Sequence, residues 1–124
     1  MLVFPKQERV MDEAHALEAC LAACHACLVA CLRCAEHSME AGEDRGGMKR
    51  CIRLCLDCAA FCQLTIVFMG RRSELIDFVC EDCAEICELC AEECGDHESE
   101  ACRACAVACQ RCVEACRVMT AEAE

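Results

Sequence analysis

Residues 80–116 read CEDCAEICELCAEECGDHESEACRACAVACQRCVEAC, and the spacing of their cysteines decides the fold. Cys80, Cys83, Cys87, Cys90 and Cys94 advance by 3, 4, 3 and 4 residues, and Cys102, Cys105, Cys109, Cys112 and Cys116 repeat the same steps. Alternating steps of three and four follow the a and d positions of a heptad, which share one face of an α-helix. Each run is therefore a helix with a sulfur stripe. Gly95 stops the first of the two, and Asp96 or Ser99 can cap the second. Glu81, Asp82, Glu85, Glu88 and Glu92 fall off the stripe and make a solvated face.

The same pattern runs outward through the chain. Cys20, Cys24, Cys27, Cys31 and Cys34 step by 4, 3, 4 and 3; Cys51, Cys55, Cys58 and Cys62 step by 4, 3 and 4. Residues beside the stripes are often small (Ala23, Ala30, Ala35, Ala59, Ala84, Ala91, Ala106, Ala108, Ala115), which lets helices approach closely. The segments 42–47 (GEDRGG) and 70–73 (GRRS) are breaks, with Ser73 a candidate N-cap. The helices are expected near 6–41, 47–69, 74–94 and 98–121. Short connections between helices of similar length make an all-α, antiparallel up-down-up-down four-helix bundle with a Cys-lined core, a single domain over 1–124.

Stacking antiparallel stripes predicts layers. Cys34, Cys51, Cys94 and Cys102 share one level; Cys31, Cys55, Cys90 and Cys105 the next; then Cys27, Cys58, Cys87 and Cys109; then Cys24, Cys62, Cys83 and Cys112. A fifth layer has Cys20, Cys80 and Cys116, with Thr65 in the remaining place.

Composition narrows the chemistry. The chain has 124 residues, 19 Cys, 4 Phe and no Tyr or Trp, so large rings do not fill its core. A formal charge of -11 leaves no basic stripe for nucleic acid. The opening MLVFPKQERV lacks a basic n-region and is broken by Pro5, so no signal peptide is expected; no apolar run of transmembrane length is expected either. These features predict the reducing cytoplasm, where cysteines stay thiols or hold metal. There is no Ser/His/Asp arrangement or Gly-rich phosphate loop, so no enzymatic role is expected.

A purely structural sulfur seam would be a poor core, because cysteine buries far less apolar area than leucine and would leave voids. Disulfides within a helix are disfavoured: side chains three or four apart have Cβ atoms about 5–6 Å apart, beyond an unstrained bridge. Metal ions between the thiolates resolve the difficulty. With no interleaved carboxylate, hard cations are excluded. Iron–sulfur clusters usually take cysteines from wrapping loops. Zinc prefers closed tetrahedral sites, and layers about 5 Å apart would crowd divalent ions in a low-dielectric tube. Copper(I) is soft, singly charged and content with two or three shared thiolates. Eight Cys-x₃-Cys pairs, among them Cys20/Cys24, Cys27/Cys31, Cys51/Cys55 and Cys112/Cys116, each offer two. Storage of many Cu(I) ions is the leading reading. A general zinc or cadmium thiolate buffer is the alternative, and an iron–sulfur electron carrier the more distant one.

Four helices bearing the Cys-x₃-Cys-x₂ stripe over residues 6–121 make the chain resemble the bacterial copper storage proteins, in the form lacking an export signal. The resemblance implies a four-helix bundle storing copper(I) in the cytosol, all nineteen cysteines as ligands, and homo-oligomers, usually tetramers. Thr65 departs from that pattern and leaves one layer short of a thiolate.

The stripes end differently. Beyond Cys51 and Cys94 lie Met48 and His97, with His37 beside them; these weaker, reversible copper(I) ligands suit a mouth, and family members carry such residues there. At the opposite end the stripes continue into Leu17, Met69, Ile76 and Met119, an apolar plug. His15 and His25 fall on outer positions. Val29, Leu32, Leu56 and Ala60 on the outside of the first two helices suggest association there.

Overall fold

The computed structural model describes residues 6–41 and 48–123. Four α-helices follow one another: α1 (Lys6–Glu40), α2 (Met48–Gly70), α3 (Ile76–Gly95) and α4 (Glu100–Ala123). Each helix packs against its neighbours in sequence, and α4 closes the ring against α1. The diagonal pairs, α1 with α3 and α2 with α4, make no comparable contact, so the stripes converge on a common axis. The expected segment 42–47 lies outside the described residues.

The ends of the helices show how local chemistry sets their length. At the end of α2 the Ser73 N–H donates to the Phe68 carbonyl (3.0 Å) and the Arg72 N–H to that of Met69 (3.1 Å). These are the two bonds of a Schellman motif. Its left-handed residue is Arg72 (φ 54) rather than a glycine. A side chain in that region costs on the order of 1 kcal/mol, here offset by the closed carbonyls. The turn also moves the start of α3. Ser73 does not cap the helix directly; its Oγ accepts from the Leu75 N–H (3.0 Å), and its carbonyl accepts from Ile76. The helix accordingly begins at Ile76, two residues after the expected start. For α4 the expected cap forms: Ser99 Oγ accepts from the Cys102 N–H (3.1 Å).

Burial follows the heptad. All nineteen cysteines are buried, along with Leu17, Ala35, Ala59, Met69, Ala84 and Val113. Glu81, Asp82, Glu85, Glu88 and Glu92 are exposed, as the pattern requires. Among the described residues, ion pairs bind neighbouring helices on the outside, such as Arg50 to Glu93 and Arg117 to Glu88, each at 2.6 Å. The Arg117–Glu88 pair is exposed on both sides, and such pairs contribute about 0.2–1 kcal/mol.

One expectation needs correction. By length and composition the helices Asp12–Glu40 and Met48–Gly70 are apolar enough to cross a membrane. Cysteine contributes to this, ranking as apolar while each stripe faces the bundle axis, together with the Ala and Leu residues of α1 and the Leu, Ile, Val and Phe residues of α2. A second correction concerns the outer surface. Exposed aliphatic and aromatic residues are not confined to the first two helices: Phe78 and Leu89 on α3 and Val107 and Val118 on α4 join Val29, Leu32 and Leu56.

Candidate metal centre

The heptad brings the sulfurs into the expected layers. In the first, Cys34 lies 3.5 Å from Cys102 and 3.9 Å from Cys51, which is 3.9 Å from Cys94. In the second, Cys105 lies 3.6 Å from Cys31, and Cys55 lies 3.9 Å from both Cys90 and Cys105. Cys27, Cys58, Cys87 and Cys109 meet at 3.5–4.0 Å in the third. Cys24–Cys112 (3.6 Å) and Cys20–Cys116 (3.7 Å) mark the fourth and fifth. All nineteen are free thiols. Many of their sulfurs lie within 3.5–4.0 Å of one another, so the interior is closely packed rather than the voided tube that a cavity argument predicts. Small neighbours such as Ala35, Ala59 and Ala84, all buried, let the backbones close in.

The layers are not separate. Along each stripe, Cys27–Cys31, Cys83–Cys87, Cys90–Cys94 and Cys105–Cys109 come within 3.8–3.9 Å. Cys31–Cys109, Cys55–Cys94 and Cys62–Cys87 then join levels between helices, at 3.6–3.9 Å. Four-sulfur groups with every pair within 4.8 Å accordingly straddle two levels and overlap. Cys27, Cys58 and Cys109 meet Cys31, while Cys27 and Cys58 also meet Cys62 and Cys87; Cys31 and Cys109 recur with Cys90 and Cys105. A tetrahedral zinc with Zn–S of about 2.3 Å spreads its sulfurs to about 3.8 Å, so each group alone would suit it. The overlap does not. Neighbouring groups share ligands, and ions in all of them would sit a few ångströms apart in a buried, low-dielectric tube, where divalent charges repel strongly. A monovalent soft ion that shares thiolates matches this donor set.

Hydrogen bonding pushes some thiols up and holds others down. The Cys116 thiol bonds to Cys20 and holds it below the usual thiol range. Cys116 itself is pushed up, first by its bond to Cys112 and then by Cys20. Cys80 is pulled down by Cys116, but its bond to Cys20 and its burial outweigh this and push it up to about 12. At the other end of the stripes Cys51 is held low, first by Cys34 and Cys55, and the charge of His97 also reaches it. Metal entering the core must displace these protons, so its affinity falls with pH.

Thr65 occupies the predicted gap, fully buried, its hydroxyl donating to the Phe61 carbonyl at 2.8 Å. It is satisfied by its own helix. Beyond it, Leu17 and Met69 are buried, and Ile76 and Met119 pack against the core half-buried. The opposite end is polar. Met48 packs half-buried on the core. His97 is mostly covered, its Nε2 2.8 Å from Glu93 Oε2, and Arg50 Nη1 donates to Glu93 Oε1 at 2.6 Å. Glu93 is held below the usual carboxylate range, first by His97. His37 is exposed and lines an outer groove between α1 and α4 with His25, Val29, Arg33 and Glu100. His15 and His25 are exposed too. Sequence reasoning missed three residues at the polar end. Glu93 and Arg50 are two. The third is Ser38, one step of four beyond Cys34, buried with its hydroxyl unpartnered among the described residues. Both Ser38 and the Glu93–His97 pair at i, i+4 are visible in the spacing once the stripes are extended.

The copper storage protein family matches residues 13–121. The chain belongs to that family. Among solved structures it is similar to the Cu(I)-bound copper storage protein BsCsp3, at 40% identity and a TM-score of 0.81, over 85% of this chain and 98% of that one. A cytosolic copper storage protein from Streptomyces lividans, with five coppers, is 32% identical with a TM-score of 0.81, over 88% and 95% of the two chains. An uncharacterized cysteine-rich protein of Bacillus subtilis strain 168, YhjQ, is 41% identical over 83 residues, 67% of this chain and 76% of the relative. This copper storage family member thus shares its fold with proteins seen holding the metal.

Proposed function

We propose that this protein stores copper(I) in the cytoplasm, holding many ions on its nineteen core thiolates, with Met48 and His97 as transient ligands at the open end. The single observation that carries the reading is the buried column of sulfurs, many of them 3.5–4.0 Å apart, in which four-sulfur groups within 4.8 Å share members. Such a column suits many monovalent ions and disfavours isolated divalent ones. Membership of the copper storage family and likeness to copper-loaded structures support it. The cytosolic Streptomyces relative supports the compartment. A storage role implies no catalysis. His37 is the weakest of the proposed ligands, exposed on an outer groove, and would act only before an ion reaches the bundle axis. Assembly into a homo-oligomer, a tetramer by resemblance to the family, would cover part of the exposed Val29, Leu32 and Leu56.

The test is an anaerobic copper(I) titration against a competing chelator. Shared low-coordinate binding gives on the order of one ion per cysteine, with ultraviolet thiolate absorption and luminescence. Saturation at about four or five ions per chain would mean tetrahedral sites and favour the zinc or cadmium buffer instead. Broad visible absorption on anaerobic purification would point to iron–sulfur clusters.

A further inference from the structure

We propose that Glu93 is a positioning residue for copper transfer, fixing the His97 ring so that Nδ1 is the nitrogen offered to an arriving ion. This rests on reading His97 as a ligand of the open end. Glu93 Oε2 lies 2.8 Å from His97 Nε2. An ionised carboxylate only accepts, so Nε2 carries the proton, and the lone pair of the neutral ring is on Nδ1. The carboxylate is itself fixed from a second helix, since Arg50 of α2 donates to its other oxygen at 2.6 Å. The Glu93 and His97 side chains are 11% and 18% exposed, so water competes little with the bond between them. The ring follows Cys94 by three residues, the next step of the α3 stripe, and the His97 N–H donates to the Cys94 carbonyl at 3.1 Å, which ties it to the end of the outermost thiolate layer. A second partner that fixes ring orientation and tautomer is how histidine ligands are commonly tuned for metal.

A simpler role is possible for such a pair: it could merely tie off the last turn of α3. The two roles differ in what they move. A helix tie moves the melting temperature alone, whereas a positioning residue moves the ring tautomer and acts on transfer only through His97.

The experiment uses the full-length protein, with copper(I) ions loaded anaerobically by stopped flow and then withdrawn by a strong chelator. Wild type, Glu93→Ala, His97→Ala and the double variant are compared, together with imidazole nitrogen spectra of the metal-free proteins. We expect the Nε2–H tautomer in wild type and a mixture in Glu93→Ala. Transfer slows several-fold in each single variant and no further in the double, at unchanged stoichiometry. Glu93→Gln, whose amide oxygen still accepts from Nε2, recovers part of the rate and serves as the check should the alanine variant fold poorly. A mixed tautomer in wild type overturns the proposal. So does a normal rate in Glu93→Ala while His97→Ala is slow, which leaves the open-end reading standing. Multiplied losses in the double variant overturn it as well, because the two residues then act independently. A normal rate in His97→Ala sinks both readings.

Discussion

The two ends of the bundle are built from the same heptad and do opposite things with it. At one end the stripe positions after the last cysteines are Leu17, Met69, Ile76 and Met119, buried or half-buried and apolar. At the other they are Ser38, Met48 and His97, with Glu93 and Arg50 holding the histidine. The first end minimises free energy by excluding water. The second leaves a ring nitrogen, a thioether and a hydroxyl without a partner among the described residues at the stripe positions after the outermost thiolates. One end is a floor and the other, as we propose, a port, and the difference lies in only about one helical turn per helix of the bundle.

The comparison breaks most visibly through stability. Met69→Ala opens a cavity in the floor and should cost the metal-free protein about 2–5 kcal/mol, read as a fall in thermal midpoint. Met48→Ala at the half-buried port should cost clearly less. Equal losses would mean that the two ends are packed alike. Copper(I), bound to the folded state only, should raise the midpoint of both variants.

Transfer rates sharpen it next. Met48→Ala with His97→Ala should slow chelator-driven release several-fold at unchanged capacity, whereas replacing Leu17 and Ile76 should leave the rate unaltered or raise it by opening a second door. Stopped-flow release from both double variants decides, and control by the Leu17/Ile76 pair would reverse the assignment of floor and port.

Alkaline pH gives a third contrast, in the metal-free protein. Cys80, at the floor, has its thiol raised from 9.0 to about 12 in the fold. A raised thiol favours folding below the unfolded value and loses that contribution as pH climbs from about 9 to about 12. Cys51, at the port, is held low, so its contribution is present above the unfolded value and is lost as pH falls. Cys80→Ser should therefore lessen the alkaline loss of thermal midpoint, and Cys51→Ser should not. A matching response from both would mean that the two thiols share one environment.

The smallest effect is in capacity. Thr65→Cys completes the layer of Cys20, Cys80 and Cys116, and Ser38→Cys extends the α1 stripe beyond Cys34; each should add about one copper(I) at saturation. The added ion should leave slowly from the floor site and quickly from the port site. A gain at neither position, by metal analysis of the loaded protein, would place these residues outside the copper column.

Much of this was legible in the sequence, for a definite reason. A strict alternation of three and four fixes which face of each helix is inward, and antiparallel order then pairs Cys34 with Cys51, Cys94 and Cys102 without any coordinates. The layers, the place of Thr65 and the apolar or polar character of each end all follow from counting along the chain. Counting says nothing of the angular phase and stagger of helices about the axis. That is why only the tertiary structure showed sulfurs of neighbouring levels, such as Cys55 and Cys94, as close as those within one. It also decided that the thiols pack closely, that Arg72 rather than a glycine turns left-handed, and that α3 starts at Ile76. Above all it turned Glu93 toward both His97 and Arg50. Spacing places Glu93 one turn before His97, but the bond from Arg50 depends on how α2 packs beside α3. Periodicity determines what faces inward; packing determines what meets.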